Sequence, residues 1–399
     1  MASAILMEMP LPATCCTGVA PPRQQVVPMG FRSPSSGKEE VMGLYDPDIG
    51  RLLAAFRIEK ADRVPHWELE IESPTLDYLM GRRVPYLDYG QLLPAEQEAY
   101  RAETGQFYPE ASSWALLPED YLELCQRWPN EAMGVNCIYA GTIGPGERGT
   151  VKDWCDLERL RPPTPVEDRA RVVQAYIEAA RGTGVGVAPA FFAPFTETYE
   201  ALGIDGLAYK VYDDPALVVH LVDLYTRDAR AMAEAVVDLD IDFVYIGDDI
   251  ADNNGTFLHP RMMEELWLPR LAHIIEPVKA RGIPMAFHCC GNLTRVIPWL
   301  IQLGFAAVHP VQPNCNDIYA LKQQYGDQIC FIGNIEVPGC LSFGTVDDVV
   351  RETKEHIDRL AYNGGYVCAS SHSITSLVKP ENYVAMLETI MNYGVFQAR

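Results

Sequence analysis

The stretch IPMAFHCCGNLTRVIPWLIQLGFAAVHPVQPNCNDIYALKQQYGDQICFIGNIE, residues 283–336, decides the fold. Three short β-rich runs recur in it at nearly even spacing: IPMAFH (283–288), FAAVHP (305–310) and ICFIGN (329–334). Apolar strands that alternate with helical stretches are the signature of a parallel sheet buried on both faces beneath its crossover helices. Five more runs extend the pattern outward, VPHWELEI (64–71), GVNCIYA (134–140), VGVAPA (185–190), DFVYIG (242–247) and YVCA (366–369). Residues 215–239, 260–282 and 345–365 carry helical period between them. Eight strand-plus-helix units predict an α/β fold, a closed (β/α)8 TIM barrel.

The units keep their spacing after residue 240 and lose it before. Residues 72–133 and 141–184 read as insertions after the first strands, laid over the barrel mouth. Aromatic text such as FYPEASSWALLPEDYLEL (107–124) suits a lid or a subunit contact, the latter in a homodimer. Residues 1–44, with PLP, APPRQQ and SPSSGKEE, show no sustained period and are expected to form a mobile or surface-draped extension, leaving 45–399 as the barrel. An open doubly wound sheet is the structural alternative. It would place a glycine-rich phosphate turn between a strand and a helix, and the nearest text, GTIGPGERG (141–149), opens no clear helix.

With 32 Lys+Arg against 54 Asp+Glu, the net charge is −22. Such a chain repels a phosphate backbone, and no segment interleaves basic and aromatic residues, so neither nucleic acid nor an acidic membrane surface is expected as a partner. No uncharged apolar run approaches the roughly 18 residues needed to span a bilayer. The opening MASAILMEMPLPATCC lacks the basic n-region of a signal peptide. The 11 cysteines are odd in number and scattered, which fits free thiols in a reducing, cytoplasmic compartment. Cys15 and Cys16, in the extension, read as incidental thiols.

Catalytic side chains of a barrel stand where strands end, and here those ends are polar: GDDIADNNG, HCCGN, HPVQPNCND, GNIE and CASSHS. Alternate residues of a strand share a face, so His288 and Cys290 point together and Cys289 points away. An imidazole and a thiolate at that spacing offer two zinc ligands. His372 or Cys368, both near the end of the last strand, can supply a third, and a metal-free pair of buried side chains is the alternative. Of Asp248 and Asp249, adjacent and therefore opposed, one is expected to face the mouth as ligand, base or anchor, and the other to cap a helix or a turn. His309 and Glu336 also fall at strand ends, as catalytic or structural residues.

Taken together, RLLAAFRIEKADRVPHWELEI, FTETYEALGIDGLAYKVYDDPALVVHLVDL, GDDIADNNGTFLHP, HCCGN, HPVQPNCNDIYALKQQYGDQICFIGNIE and GGYVCASSHSITSLVKPENYVAML resemble the uroporphyrinogen decarboxylase superfamily, in the right order over about residues 46–394. That resemblance implies the same barrel. It admits two branches, decarboxylases and corrinoid-dependent methyltransferases. The decarboxylases it resembles carry an arginine-rich segment after the first strand to hold a polyanion. Here Glu68, Glu70 and Glu72 occupy that place, and carboxylates cannot replace guanidinium groups there. The methyltransferase branch implies a zinc motif of His-x-Cys with a distal cysteine on the last strand. His288 and Cys290 match its first half. The distal position falls at His372, with Cys368 four residues earlier.

The resemblance thus implies a methyltransferase moving a methyl group between a small substrate, a methoxylated aromatic, thiol or pterin, and the cobalt of a corrinoid carried on a separate protein. Zinc would be held by His288, Cys290 and His372 or Cys368, with one of Asp248 and Asp249 completing the site and Glu70 on the pocket floor. A metal-free lyase acting on a small carboxylic acid is the alternative from another class, and a non-catalytic scaffold a third that leaves the polar strand ends unexplained.

Overall fold

A computed structural model of the chain describes residues 45–68, 70–72, 74–82, 116–137, 149–160 and 164–396. The expected N-terminal extension, the first half of the aromatic insertion text and nearly all of GTIGPGERG lie outside the described residues. Seven parallel strands run in the order β1 (Ala132–Asn136), β2 (Gly186–Phe192), β3 (Val244–Gly247), β6 (Met285–His288), β7 (Ala307–His309), β8 (Cys330–Ile332) and β9 (Tyr366–Val367). Between β3 and β6 the chain makes a small antiparallel hairpin of β4 (Ala251–Asp252) and β5 (Gly255–Thr256).

The eighth stave is the run at 64–68. Cys368 N–H donates to the Pro65 carbonyl at 3.0 Å, and Glu131 N–H donates to the His66 carbonyl at 3.0 Å. The segment therefore sits between β9 and β1 and closes the sheet into the expected barrel. It is held by isolated bonds rather than a continuous ladder, because Pro65 has no N–H to give. Each of the eight runs read from the sequence overlaps a stave.

Packing follows the pleat. Trp67, Phe243 and Tyr245 fill the barrel interior, with ring centroids 5.4 Å (Trp67–Phe243) and 5.0 Å (Trp67–Tyr245) apart. Opposite them stand small residues, Ala188 and Ala190 of β2, Ala286 of β6 and Ala307 of β7. The helix Ile49–Phe56 plugs the bottom with Leu52, Ala55 and Phe56, its first turn capped by the Asp48 carboxylate, which accepts from Gly50 N–H. The alternate residues Phe287, Val308, Phe331 and Cys368 face outward into the layer beneath the helices. The longest helix, Pro215–Val236, shows why that layer forms. Its Leu217, Leu221, Val222, Tyr225, Ala229, Met232 and Val236 recur with helical period on one buried stripe, and Asp214 caps its start. No helix among the described residues is long and apolar enough to cross a membrane.

This packing generates a prediction. Trp67→Ala leaves a cavity under Tyr245 and is expected to cost about 3–5 kcal/mol in denaturant unfolding, while Ala286→Leu overpacks the same layer and costs about 1–3 kcal/mol.

Candidate metal centre

The inward parity that puts Ala286 in the barrel core carries upward to His288 and then Cys290, while Phe287 and Cys289 turn outward. Beyond the strand, Gly291 adopts φ +94°, and a Cβ there would lie 2.6 Å from the carbonyl oxygens of Ala251 and Asp252. Asn292 N–H donates to the Asp252 carbonyl at 2.7 Å. The loop is thereby pressed against the β4–β5 hairpin, which brings β3's inward-facing Asp249 to it. The Asp249 carboxylate accepts from Cys290 N–H at 2.7 Å and lies 3.6 Å from His288 Nε2, and Cys290 Sγ is 3.6 Å from the same nitrogen. The ligand atoms of Asp249, His288 and Cys290 all fall within 4.8 Å of one another.

The other nitrogen of His288 is also engaged. His288 Nδ1 and His309 Nδ1 are 2.8 Å apart, and the Tyr245 hydroxyl is 2.8 Å from the same His309 nitrogen. Burial pushes both imidazoles below their ordinary range and so favours their neutral forms. A bond between two ring nitrogens needs one proton and one lone pair. With Nδ1 held against His309, His288 turns Nε2 to Asp249 and Cys290, and a metal there would be met by the Nε2 lone pair of the Nδ1–H tautomer. Burial and then the Asp249 charge raise the Cys290 thiol. A cation among the three removes that repulsion and favours the thiolate, so the donor set of nitrogen, sulfur and oxygen fits zinc.

The remaining sequence candidates separate clearly. Asp248 is buried and faces outward, accepting from Thr196 N–H (2.7 Å), Phe195 N–H (3.2 Å) and Trp267 Nε1–H (2.7 Å). It anchors the start of the helix Pro194–Leu202, while Asp252 serves the Asn253–Gly255 turn. Burial pushes the Asp248 carboxyl up to about 7. His372 is exposed at the mouth, its ring centroid 6.5 Å from that of His288. Cys368 faces the outer layer, one residue out of phase with the inward Val367 and Ala369, and burial pushes its thiol up to about 12. Among the described residues it is Asp249, rather than His372 or Cys368, that stands within ligand reach of His288 and Cys290. Glu70 accepts from the Ser373 hydroxyl at 2.5 Å. Glu336 begins the Val337–Leu341 turn, with its N–H donating to Glu352 at 3.0 Å.

Two features escaped the sequence reading. Tyr245 supports His309 from below, and counting back from Asp249 in twos would have found it. A wall of Phe195, Tyr199 and Phe257, with centroids 5.8–6.2 Å apart, rises near Asp249, whose charge, after burial, raises the Tyr199 phenol. Phe192 closes toward the same mouth because Gly247 has no side chain; a Cβ there would meet the Phe192 ring at 2.7 Å.

A parallel barrel with a histidine, a cysteine and an aspartate gathered at the C-terminal ends of its strands defines a class of enzyme folds with a mouth-borne site. The family model for uroporphyrinogen decarboxylase (URO-D) matches residues 122–393, and the chain belongs to that family. A uroporphyrinogen decarboxylase of Methylococcus capsulatus is 23% identical, covering 76% of this chain and 91% of the relative. The methylcobamide:CoM methyltransferase MtaA of Methanosarcina barkeri is 24% identical over 67% of this chain and 77% of its own. A solved methyltransferase from Methanosarcina mazei shares the fold, with a TM-score of 0.56 at 18% identity, over 86% of this chain and 98% of that one.

The two adjacent aspartates are expected to behave oppositely. Asp248→Ala strands three buried donors and should cost roughly 2–4 kcal/mol in chemical unfolding. Asp249→Ala should leave the unfolding midpoint of the metal-free protein nearly unchanged and lower zinc affinity, read by competition with a chromophoric chelator.

Proposed function

We propose that this protein is the methyltransferase subunit of a corrinoid-dependent system, moving a methyl group between a small substrate and the cobalt of a corrinoid on a separate protein. The observation that carries the reading is the convergence of Asp249, His288 and Cys290 at the barrel mouth. These three residues would hold zinc, with His309 and Tyr245 fixing the His288 ring. Zinc bound there would act as a Lewis acid, favouring a thiolate acceptor or taking up charge on a leaving oxygen.

The chain's own groups do the rest. His288 turns Nε2 to the site because its Nδ1 is held 2.8 Å from His309 Nδ1. Asp249 fixes the Cys290 loop through the backbone N–H. Phe192, Tyr199 and Phe257 offer a flat apolar substrate a surface at the edge of the donors. The corrinoid protein would dock over the open mouth, where His372 stands. The segment from the first stave onward carries Glu68, Glu70 and Glu72 where a polyanionic tetrapyrrole would call for guanidinium groups, which argues against such a substrate. Family relatives named as decarboxylases support the second reading, a metal-free lyase acting on a small acid.

Zinc analysis and methyl transfer to free cob(I)alamin test the proposal. The expected result is about one zinc per chain, lost in His288→Ala and Cys290→Ala and kept in Cys289→Ala, whose thiol faces away. X-ray absorption should count one sulfur, with nitrogen and oxygen filling the remaining positions; zinc–sulfur at about 2.3 Å is resolved from the lighter ligands near 2.0–2.1 Å. A purified protein without zinc that turns over uroporphyrinogen would overturn the reading.

A further inference from the structure

Three glutamates of the first stave grip the segment that follows the last. Ser370 donates its N–H to Glu68 at 3.2 Å and has its hydroxyl 2.7 Å from the other oxygen of that carboxyl. Ser373 donates to Glu70 at 2.5 Å, and Ser376 N–H donates to Glu72 at 2.8 Å. The outermost pair lies toward solvent and the middle one is half-buried. The innermost is sealed, with Glu68 at 2% and Ser370 at 0% exposure.

The Ser370 hydroxyl has a second partner, the backbone carbonyl of His372. A hydroxyl carries one proton, and a carbonyl oxygen can only accept. If Ser370 gives its proton to His372, the contact with Glu68 is a hydrogen bond only when Glu68 supplies a proton of its own. We infer that Glu68 is held as a neutral carboxylic acid that donates to Ser370, and that Ser370 in turn donates to the His372 carbonyl, so that the first stave positions His372 beside the metal centre. Glu68 and Ser370 are positioning residues, acting through His372.

The surroundings agree. Burial pushes the Glu68 carboxyl up to about 8, against the opposing pull of the two Ser370 contacts. The titratable groups turned toward it are Tyr121 of the helix Pro118–Arg127, Cys368 of the last stave, Tyr383 of the helix Pro380–Tyr393 and Tyr245 of β3. All four are raised by burial and neutral, so none supplies a positive charge to favour the carboxylate. Nearby His66 is pushed down to about 4 by burial and is also neutral. An acid kept neutral by an apolar enclosure, so that it can donate, is an established use of burial. Ionised, Glu68 would draw the serine proton to itself and release the His372 carbonyl. A carboxyl raised from 4.5 to about 8 favours the fold fully below its ordinary value, and that contribution is lost as the pH climbs through 8.

The inference concerns hydrogen bonding and stands whether or not zinc binds; only its bearing on catalysis rests on the proposed function. The test uses the full-length protein without metal or substrate. Infrared difference spectroscopy at neutral pH should show the carbonyl band of a protonated buried acid, disappearing as pH passes about 8 and absent in Glu68→Gln. Modification of His372 by diethyl pyrocarbonate, followed by mass spectrometry, should accelerate roughly fivefold in Ser370→Ala and Glu68→Leu, as one lost hydrogen bond implies. Glu68→Gln, whose amide can donate to Ser370 at every pH, should keep the slow rate and lose its pH dependence, and Ser370→Thr should restore it. His273 serves as the internal control. Absence of a protonated-acid band in the wild-type protein at neutral pH, or a His372 rate indifferent to Ser370→Ala, would overturn the inference. The infrared titration needs no variant, so a misfolded substitution cannot shield it.

Discussion

The interior of an eight-stave barrel holds a fixed volume, and Trp67, Phe243 and Tyr245 take most of it. Three of the other staves, β2, β6 and β7, make room by turning alanine inward. One pleat higher, the same inward direction emerges from the packed layer into the mouth. There it points Asp249 from beyond β3, His288 from β6 and His309 from β7 at one another. Tyr245 belongs to both levels, its ring in the packing and its hydroxyl against His309. The side chains that make the core solid are thus also those that orient the site's imidazoles, as metal sites require of the groups behind their ligands.

Three buried or half-buried carboxyls near the staves show how partners decide chemistry. Asp248 and Glu68 are both sealed and both raised by burial, to about 7 and about 8. Asp248 faces three N–H donors and is suited to remain an acceptor. Glu68 faces a hydroxyl already committed elsewhere and is suited to donate. Asp249, half exposed between them in character, faces a thiol, an imidazole and the open mouth. An acidic chain places its carboxylates by what each must touch, and net charge alone foretells none of these roles.

The barrel was legible because each stave is a short apolar run at regular spacing, and the alternation rule correctly opposed Asp248 to Asp249 and Cys289 to His288 and Cys290. The rule also carried information that went unused. Applied backward from Asp249 it reaches Tyr245, and applied to YVCA it sends Cys368 outward once Val367 and Ala369 are known to face in. What no reading of one strand contains is contact between strands. That Asp249 rather than His372 closes on His288 depends on the hairpin Ala251–Thr256 and the turn at Gly291, two segments 40 residues apart that meet through backbone carbonyls. The glutamates of the first stave were read as facing a substrate, whereas barrel closure turns them to the serines of the last.

Gly247 and Phe192 carry a consequence for how such barrels diversify. The ring occupies the space a side chain at 247 would need, so the two positions are interlocked, one absent group answering one large one. Neither belongs to the candidate metal-binding group of Asp249, His288 and Cys290. A smaller residue at 192 together with an added side chain at 247 would redraw the outline of the mouth while leaving Asp249, His288 and Cys290 where they stand. On this scaffold the pair is a place where the outline of the mouth can change apart from the donors, and a first change at 192 opens the room that the second, at 247, then fills.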